Sequence, residues 1–329
     1  MHYIQRIILI LLLAGSAQLV NAQTFGTDRA GTAGFQFTKI QVDPRSAAMG
    51  NSNMADAFDG SSLFWNPALA ARLEGSTVML SHTSYVAGIS LDYFSITQKI
   101  GKFAVGGYMQ YLNSGEIKET TEFQWYGTGR TFRTLHLATG ISASQQVTEL
   151  FSYGITFKYL LEKIEEINVQ SGAVDFGFSY FVGETGLRFA VGVNNFSPVD
   201  VRPSGTTTKK DLDGEKEVAA DQTVSLPTIF HIGAAYDVLE TEISSLVVTA
   251  QITNPSDNAE QFNMGAEYGF MEQFYFRSGY EFGNKERKIP SFGGGIKFPF
   301  KNKMLKADYA YTVYERLGGI HRIAVSFAL

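Results

Sequence analysis

Apolar and polar residues alternate along most of the chain after residue 75, with the period of two that is typical of β-strands. One face of the segment 153–159 carries Tyr153, Ile155, Phe157 and Tyr159, and Lys158 lies on the opposite face. The end of the chain repeats the pattern, with Ile323, Val325, Phe327 and Leu329 on one face. Such strands occur in soluble sheets as well as in membrane barrels, so alternation alone does not identify the side that faces water.

Fourteen segments of this kind follow one another, separated by turns. An even total is what a closed bacterial outer-membrane barrel with both ends on one side requires. The predicted fold is therefore all-β, a transmembrane antiparallel barrel of about fourteen strands. The segments span about 76–86, 88–99, 102–112, 132–146, 150–162, 170–182, 186–195, 224–238, 243–254, 260–270, 272–284, 289–300, 303–314 and 318–329.

The lengths of the connections favour a membrane barrel over a soluble sheet. Connections after even-numbered segments are short, whereas two long ones, about 113–131 and 196–223, and a moderate one near 163–169 follow odd-numbered segments. Outer-membrane barrels combine short periplasmic turns with longer external loops. Within the longest connection, the polar stretch 204–211 is interpreted as a mobile external loop, with a binding lid as the alternative.

Composition points to the same class of protein. Charged residues make up 18% of the chain, against a usual value of about 25%. Aromatic residues reach 13% and are nearly all Phe and Tyr, which suits lipid-facing strands with aromatic girdles. No later run of 18 apolar residues indicates a helical membrane span. The net charge of -5 argues against nucleic acid as a partner.

The first 22 residues have the features of a secretory signal peptide. Arg6 precedes an apolar core at 7–14, and Val20-Asn21-Ala22 is a small-residue cleavage site, so the mature chain is expected to begin at Gln23. The chain has no cysteine, which excludes a lipoprotein anchor and disulfides. The expected location is the bacterial outer membrane, with outer-membrane lipid around the barrel.

Residues 23–74 differ from the predicted barrel at 75–329. The pairs Asp43-Pro44 and Asn66-Pro67 each combine a helix N-cap residue with proline at the first helical position. Two short helices are too small to form a domain alone, and a barrel of about fourteen strands is too wide to be filled by its own side chains. This region is therefore predicted to fold as a plug inside the barrel.

Charged residues recur opposite the apolar faces of the predicted strands. A Lys or Arg that faces lipid at mid-bilayer costs about 2–4 kcal/mol. We therefore expect these residues in the lumen, paired with one another or with the plug, and a polar transport route is the alternative. The group comprises Lys158, Asp175, Arg277, Glu281, Lys306 and Asp308, together with Asp92, Arg188, Glu267 and Lys297.

Catalytic and metal-binding motifs are absent from the sequence. Its five histidines are scattered, and no H-E-x-x-H, G-x-S-x-G or P-loop spacing occurs. The sequence predicts neither an enzyme nor a cofactor or metal site.

The plug region resembles the start of the PorV/PorQ family of Bacteroidetes-type bacteria. The resemblance covers about residues 31–75 and includes the run from Gly34 to Ile40 and the element Phe64-Trp65-Asn66-Pro67-Ala68. It implies a fourteen-stranded barrel similar to the FadL long-chain fatty-acid transporters, which share an Asn-Pro-Ala element in an N-terminal hatch. The hatch residues implied are Arg45, Ala48, Met49, Gly50, Trp65, Asn66, Pro67 and Ala68.

This resemblance implies two different activities. In the first, the barrel is a protein-interaction component of type IX secretion or a related surface-export system, with secretion-system proteins or signal-bearing cargo as partners. In the second, it is a FadL-like channel for hydrophobic small molecules and binds a lipid-like ligand beside the plug. Plausible lining residues for that ligand are Phe35, Phe37, Phe58, Phe64 and Trp65. A soluble periplasmic β protein is a third interpretation.

Overall fold

The computed structural model describes residues 29–211, 214–219, 222–284, 286–301 and 303–328. The predicted signal peptide at 1–22 and the terminal Leu329 lie outside the described residues. Among the residues described, no helix has the length and apolar character needed to cross a membrane.

Eighteen strands, numbered β1 to β18 in chain order, occur within the described residues. Fourteen of them close into a barrel, in which consecutive barrel strands are antiparallel neighbours. The remaining strands form two hairpins, β4–β5 and β10–β11, within the long connections. The bounds are β1 Ser76–Ser84, β2 Ser90–Ile100, β3 Phe103–Asn113, β4 Ile117–Lys118, β5 Thr131–Phe132, β6 Thr134–Gln146, β7 Phe151–Ile164, β8 Ile167–Phe181, β9 Leu187–Phe196, β10 Thr206–Asp211, β11 Gly214–Ala219, β12 Ile229–Glu240, β13 Ser244–Pro255, β14 Gln261–Phe270, β15 Phe274–Phe282, β16 Ser291–Phe300, β17 Lys303–Tyr314 and β18 Gly318–Ala328.

The last strand closes the barrel. β18 pairs with β1 from Thr77 opposite Ala328 to Ser84 opposite His321. The predicted fourteen-stranded antiparallel barrel is thus confirmed, and each predicted segment corresponds to one barrel strand.

The connections lie at two ends of the barrel, which we call the turn end and the loop end. The turn end holds connections of two to five residues, whereas the loop end holds the long excursions 114–133 and 197–228. The moderate loop expected near 163–169 is a two-residue turn at 165–166, because β7 and β8 continue past the predicted boundaries. Glu165 adopts a left-handed conformation there, with φ of 52°.

The 197–228 excursion is anchored at its base. Val201 bridges to Val224, and Ser225 bridges to Ala33 of the N-terminal region. Leu226 is buried in the apolar cluster inside the barrel. Backbone pairing and apolar burial therefore hold the base of this connection against the barrel mouth, and the interpretation of 204–211 as a mobile external loop stays a prediction.

Side chains divide between the two faces of the wall as the alternation predicts. Phe157 of β7 and Phe276 of β15 are exposed on the outer surface, whereas Lys158 and Arg277 beside them are buried inside. Asp92 is an exception. It is on the outer face of β2, because Leu91 and Tyr93 face inward and pack in the apolar cluster around the plug.

Residues 34–74 lie within the barrel and form short helices. The α-helices are α1, Pro44–Ala48, and α2, Ser62–Trp65. Short 3-10 helices occupy Gln36–Lys39 and Pro67–Arg72, and a third, Val86–Gly88, follows β1. Nearly every residue from 42 to 71 is buried, so we call residues 34–74 the plug.

Candidate functional site in the plugged lumen

Asp43 starts α1 and also joins it to α2. Its carboxylate accepts a hydrogen bond from the Ser46 backbone N–H at 2.7 Å, with Pro44 at the first helical position, as a helix N-cap does. The other carboxylate oxygen accepts from Trp65 Nε1 at 3.0 Å. Burial raises the pKa of the Asp43 carboxyl above its usual range, and the neighbouring Asp59 carboxylate adds to that rise.

Asn66 connects the plug to the wall. Its Oδ1 accepts from the Ala68 backbone N–H at 3.0 Å and so caps the turn that begins at Pro67. Its Nδ2 donates to the backbone carbonyls of Met54 in the plug and Phe178 in β8, both at 3.2 Å. Gly177 beside it has no room for a side chain, because a Cβ there would overlap the Asn66 amide.

Met49 and Gly50 touch the wall through their backbones. Gly50 ends α1 with φ of +64°, a conformation that favours glycine. A Cβ on Gly279 of β15 would collide with the Met49 carbonyl carbon, and one on Gly265 of β14 would collide with the Met49 carbonyl oxygen. The Cβ of Ala48 packs against Gly293 of β16. Small residues on both sides therefore let the plug backbone approach the strands closely.

Arg45 links the plug to the charged part of the wall. Its guanidinium donates to both oxygens of Glu267 in β14 at 2.9 Å and lies 2.5 Å from Asp56 Oδ2 in the plug. Arg277 of β15 donates to the same Glu267 and to Asp308 of β17, the latter at 2.6 Å. These side chains are almost completely buried, so each charge depends on its partners for stabilisation.

The network extends in both directions around the wall. Asp56 also pairs with Arg188 of β9, which lies 2.6 Å from Asp237 of β12. Lys306 of β17 lies 3.6 Å from Asp308 and 4.0 Å from Asp59 in the plug.

Two further buried pairs lie nearer the loop end. Lys158 Nζ lies 2.5 Å from Asp175 and donates to Asn195 Oδ1 at 2.9 Å. Glu281 accepts from Arg287 at 2.8 Å and from the Asn51 amide of the plug at 2.9 Å. Eight of the ten charged residues expected in the lumen thus lie inside the barrel, each in contact with an opposite charge. Lys297 alternates with the exposed Ile296 and Phe298 on β16, and Asp92 faces outward.

The part of the lumen that lies across from the charged network is apolar. Phe35 and Phe37 are buried there, and Gln110 of β3 donates to the Phe37 carbonyl at 2.9 Å. Tyr93 of β2 donates its hydroxyl to the Gly60 carbonyl of the plug at 3.0 Å. The plug contributes Phe35, Phe37, Val42, Leu63, Phe64, Trp65 and Leu69 to this cluster, and the wall contributes Leu91, Tyr93, Tyr108, Leu112, Leu160 and Val169.

The aromatic residues expected to line a ligand pocket do not converge on one cavity. Phe35 and Phe37 pack within the apolar cluster. Phe58 lies toward the turn end, with its ring centroid 6.1 Å from that of Phe181. Of this group, Phe64 and Trp65 border a cavity at the loop end of the lumen.

That cavity, which we call the vestibule, has a volume of about 380 Å³. Tyr85, Asn284 and Tyr314 place it at the loop end, and Phe64 and Trp65 bound it on the plug side. Nine of its 22 lining residues have carboxamide side chains: Gln36, Gln41, Asn51, Asn194, Asn195, Asn258, Gln261, Asn263 and Asn284. Sequence reasoning missed this group because each residue is an ordinary inward polar position, and only barrel closure brings them together.

The chain and its fold have known relatives. A family profile described as "Type IX secretion system protein PorV" matches residues 23–255. No curated protein sequence matches the chain significantly.

Among solved structures, the Ralstonia pickettii toluene transporter TbuX matches with a TM-score of 0.56 and 14% identity, over 87% of this chain and 96% of that one. The Pseudomonas putida toluene transporter TodX gives a TM-score of 0.60 at 12% identity, over 87% and 97% of the two chains. The CymD monoaromatic hydrocarbon channel gives 0.58 at 15%, over 87% and 96%. At these identities the likeness concerns the fold alone, and the barrel architecture predicted from the sequence is confirmed.

Proposed function

This chain belongs to the PorV family of type IX secretion system proteins, and we propose that it is a non-enzymatic outer-membrane barrel that binds other proteins during secretion. The partners are secretion-system components or cargo that carries a secretion signal, in type IX secretion or a related surface-export system. The observation that carries the proposal is the family match, which covers most of the chain.

The filled lumen supports a role in binding over one in conduction. The plug meets the wall through buried ion pairs on one side and through close-packed apolar side chains on the other. A substrate that crossed the barrel would have to break both sets of contacts. The surfaces that remain available to a partner without that cost are the loop end and the outer wall.

The 114–133 excursion at the loop end carries the most exposed aromatic residues described. Phe123, Trp125 and Tyr126 are 87%, 68% and 78% exposed, and the last two stack with ring centroids 3.4 Å apart. Trp and Tyr are among the residues that most often dominate protein–protein binding energy. We therefore assign partner binding to this loop tip.

Co-purification from native envelopes in mild detergent tests the assignment. The wild-type chain is expected to retain secretion-system proteins, and the triple variant F123A/W125A/Y126A is expected to lose them. Gln124→Ala, in the same loop tip, is the matched control and should retain the partners. Normal secretion of signal-bearing cargo by a strain that lacks the gene, or equal recovery of partners with the triple variant, would contradict the proposal.

The second candidate function is uptake of a hydrophobic small molecule. Phe64 and Trp65 favour it, because they give the vestibule an aromatic boundary next to the plug. The carboxamide lining opposes it, because a hydrocarbon forms no hydrogen bonds with groups that it would strip of water. Native mass spectrometry of the purified barrel with toluene and with a long-chain fatty acid tests this candidate. Retention of either, together with an uptake defect in a deletion strain, would support it.

A further inference from the structure

The outer wall carries a small cluster of ionisable side chains near the loop end. Most outward-facing residues of the described barrel strands are apolar or aromatic. Among acidic, basic and histidine side chains of these strands, those that face outward are His82, Asp92, Lys163, Lys303 and His321. Lys163 and Lys303 lie at strand ends on other parts of the wall, whereas the other three lie together on β18, β1 and β2.

His82 and Asp92 form a pair on this surface. They are directly opposite one another on β1 and β2, with 2.6 Å between His82 Nδ1 and Asp92 Oδ1. Their side chains are 49% and 50% exposed. Among the described residues, the second carboxylate oxygen of Asp92 has no hydrogen-bond partner within the chain.

The pair lies at the level of the membrane interface. His82 is two residues from the loop end of β1, which ends at Ser84, and Asp92 is two residues from the start of β2 at Ser90. β1 has nine residues, about the minimum that crosses a bilayer as a tilted strand, so positions near its end reach the headgroup region.

An apolar groove of about 370 Å³ continues from the pair toward the middle of the bilayer. It crosses the seam where the last strand closes the barrel. Its outward-facing walls are Leu80 of β1, Phe94 of β2, Met109 of β3, and Ile323 and Val325 of β18. The groove thus presents an apolar channel at acyl-chain depth with an anionic group at headgroup depth.

We propose that this groove binds one membrane lipid whose headgroup carries a primary ammonium group. One acyl chain lies along the apolar groove, and the ammonium donates a hydrogen bond to the open oxygen of Asp92. A lipid fits this surface because the wall faces hydrocarbon, and because the order of apolar and charged groups along the groove is that of a lipid molecule.

Neighbouring residues complete the headgroup site. His321 faces outward on β18 opposite Ser84, one strand from His82, and its Nδ1 lies 2.8 Å from the Tyr309 hydroxyl of β17. Because one of His321 and Tyr309 donates to the other, the two together keep one free donor, either the imidazole Nε2–H or the phenol O–H, for the phosphate of the same headgroup. The carboxylate therefore selects the amine, and the ring side chains receive the phosphate.

Lipid retention by the full-length barrel tests this proposal. The protein is reconstituted in nanodiscs with equal amounts of palmitoyl-oleoyl phosphatidylethanolamine and phosphatidylglycerol, extracted into mild detergent and analysed by native mass spectrometry. We expect phosphatidylethanolamine to be retained about fivefold over phosphatidylglycerol, the ratio expected for one charge at a membrane surface. Asp92→Asn should remove this preference, whereas Lys303→Met, which removes an outward charge elsewhere, should keep it.

A second measurement needs no variant. Phosphatidylcholine has the same phosphate but a quaternary ammonium without an N–H donor, so it should be retained more weakly than phosphatidylethanolamine by the wild-type chain. Equal retention of the three lipids, or a preference that survives Asp92→Asn, would overturn the proposal. Crosslinking of a protein rather than lipid from a photoreactive residue at Leu80 in native envelopes would also overturn it.

Discussion

Arg45 offers the sharpest test of how the plug is held. Its guanidinium contacts Glu267 at 2.9 Å and Asp56 at 2.5 Å, all within the buried lumen. Arg45→Met keeps the length of the side chain but removes these contacts. Loss of one partner from a buried ion pair costs about 3–5 kcal/mol. We expect about 3 kcal/mol, at the lower end of that range, because Glu267 retains Arg277 and Asp56 retains Arg188.

A single cysteine can report this loss as opening of the plug. The chain has no cysteine of its own, and Ser52 of the plug is completely buried. The cysteine of the Ser52→Cys variant should therefore react with a maleimide only when the plug moves away from the barrel wall and exposes it. A loss of about 3 kcal/mol corresponds to about a hundredfold rise in the open fraction. The labelling rate of R45M/S52C should exceed that of S52C by this factor.

Two controls separate plug release from general damage. Arg133→Met removes an exposed pair with Glu116, which is worth at most about 1 kcal/mol, and should leave the labelling rate almost unchanged. A shift in gel mobility between unboiled and boiled samples reports whether the barrel itself remains folded. Equal labelling of R45M/S52C and S52C, with the barrel intact in both, would refute the conclusion that the ion pairs secure the plug.

Two further predictions concern the fit of the plug and its buried charges. Gly279→Val in the S52C background should raise the maleimide labelling rate by at least tenfold (about 1.4 kcal/mol), because its side chain would overlap Met49, whereas Gly172→Val on the outer face should not. Lys158→Met should lower the free energy of unfolding in urea by about 3–5 kcal/mol, since it leaves Asp175 buried without its cation. Addition of Asp175→Asn should restore most of that loss, and a double variant as unstable as the single one would contradict the pairing.

The barrel could be predicted from the sequence because its wall lies between two different environments. Lipid requires apolar side chains on one face of every strand, and the filled lumen accepts polar ones on the other, so the period of two survives along almost every strand. The inward positions of Lys158 and Arg277 also follow from this rule. Turn positions were less certain, since the short turn at 165–166 contains no glycine or proline to mark it.

Asp92 shows where the same rule fails. The rule assumes that the more polar face of a strand points inward, but β2 packs against the apolar part of the plug. Tyr93 faces the lumen, where its hydroxyl donates to the Gly60 carbonyl. Because neighbouring residues of a strand face opposite sides, Asp92 faces outward toward His82. The sequence of β2 alone cannot reveal this, because the choice depends on which part of a distant segment fills that side of the lumen.

The vestibule could not be predicted for a similar reason. Its carboxamides come from the plug and from strands β9 and β14, with loop residues such as Asn258 and Asn284 between them. No sequence spacing connects these positions, and each is unremarkable as an inward polar residue. The aromatic residues of the plug were easier to recognise in the sequence, yet most of them pack in the apolar cluster and do not line a cavity.

The division of the lumen into an apolar part and a charged part has a consequence for function. The plug presents Phe37 and Leu63 to strands β2–β8 and Arg45 and Asp56 to strands β9–β17. Rotation of the plug within the barrel would place its charged residues against the apolar side chains of the wall. It would also separate Arg45 from Glu267, which would then keep only Arg277. These contacts therefore favour one orientation of the plug. A sideways shift is opposed too, because a side chain on Gly265 or Gly279 would collide with the Met49 backbone, and the strands leave no space for a bulkier contact there. A barrel so filled leaves its loop end and outer wall as the surfaces open to a partner, as the proposed binding role requires.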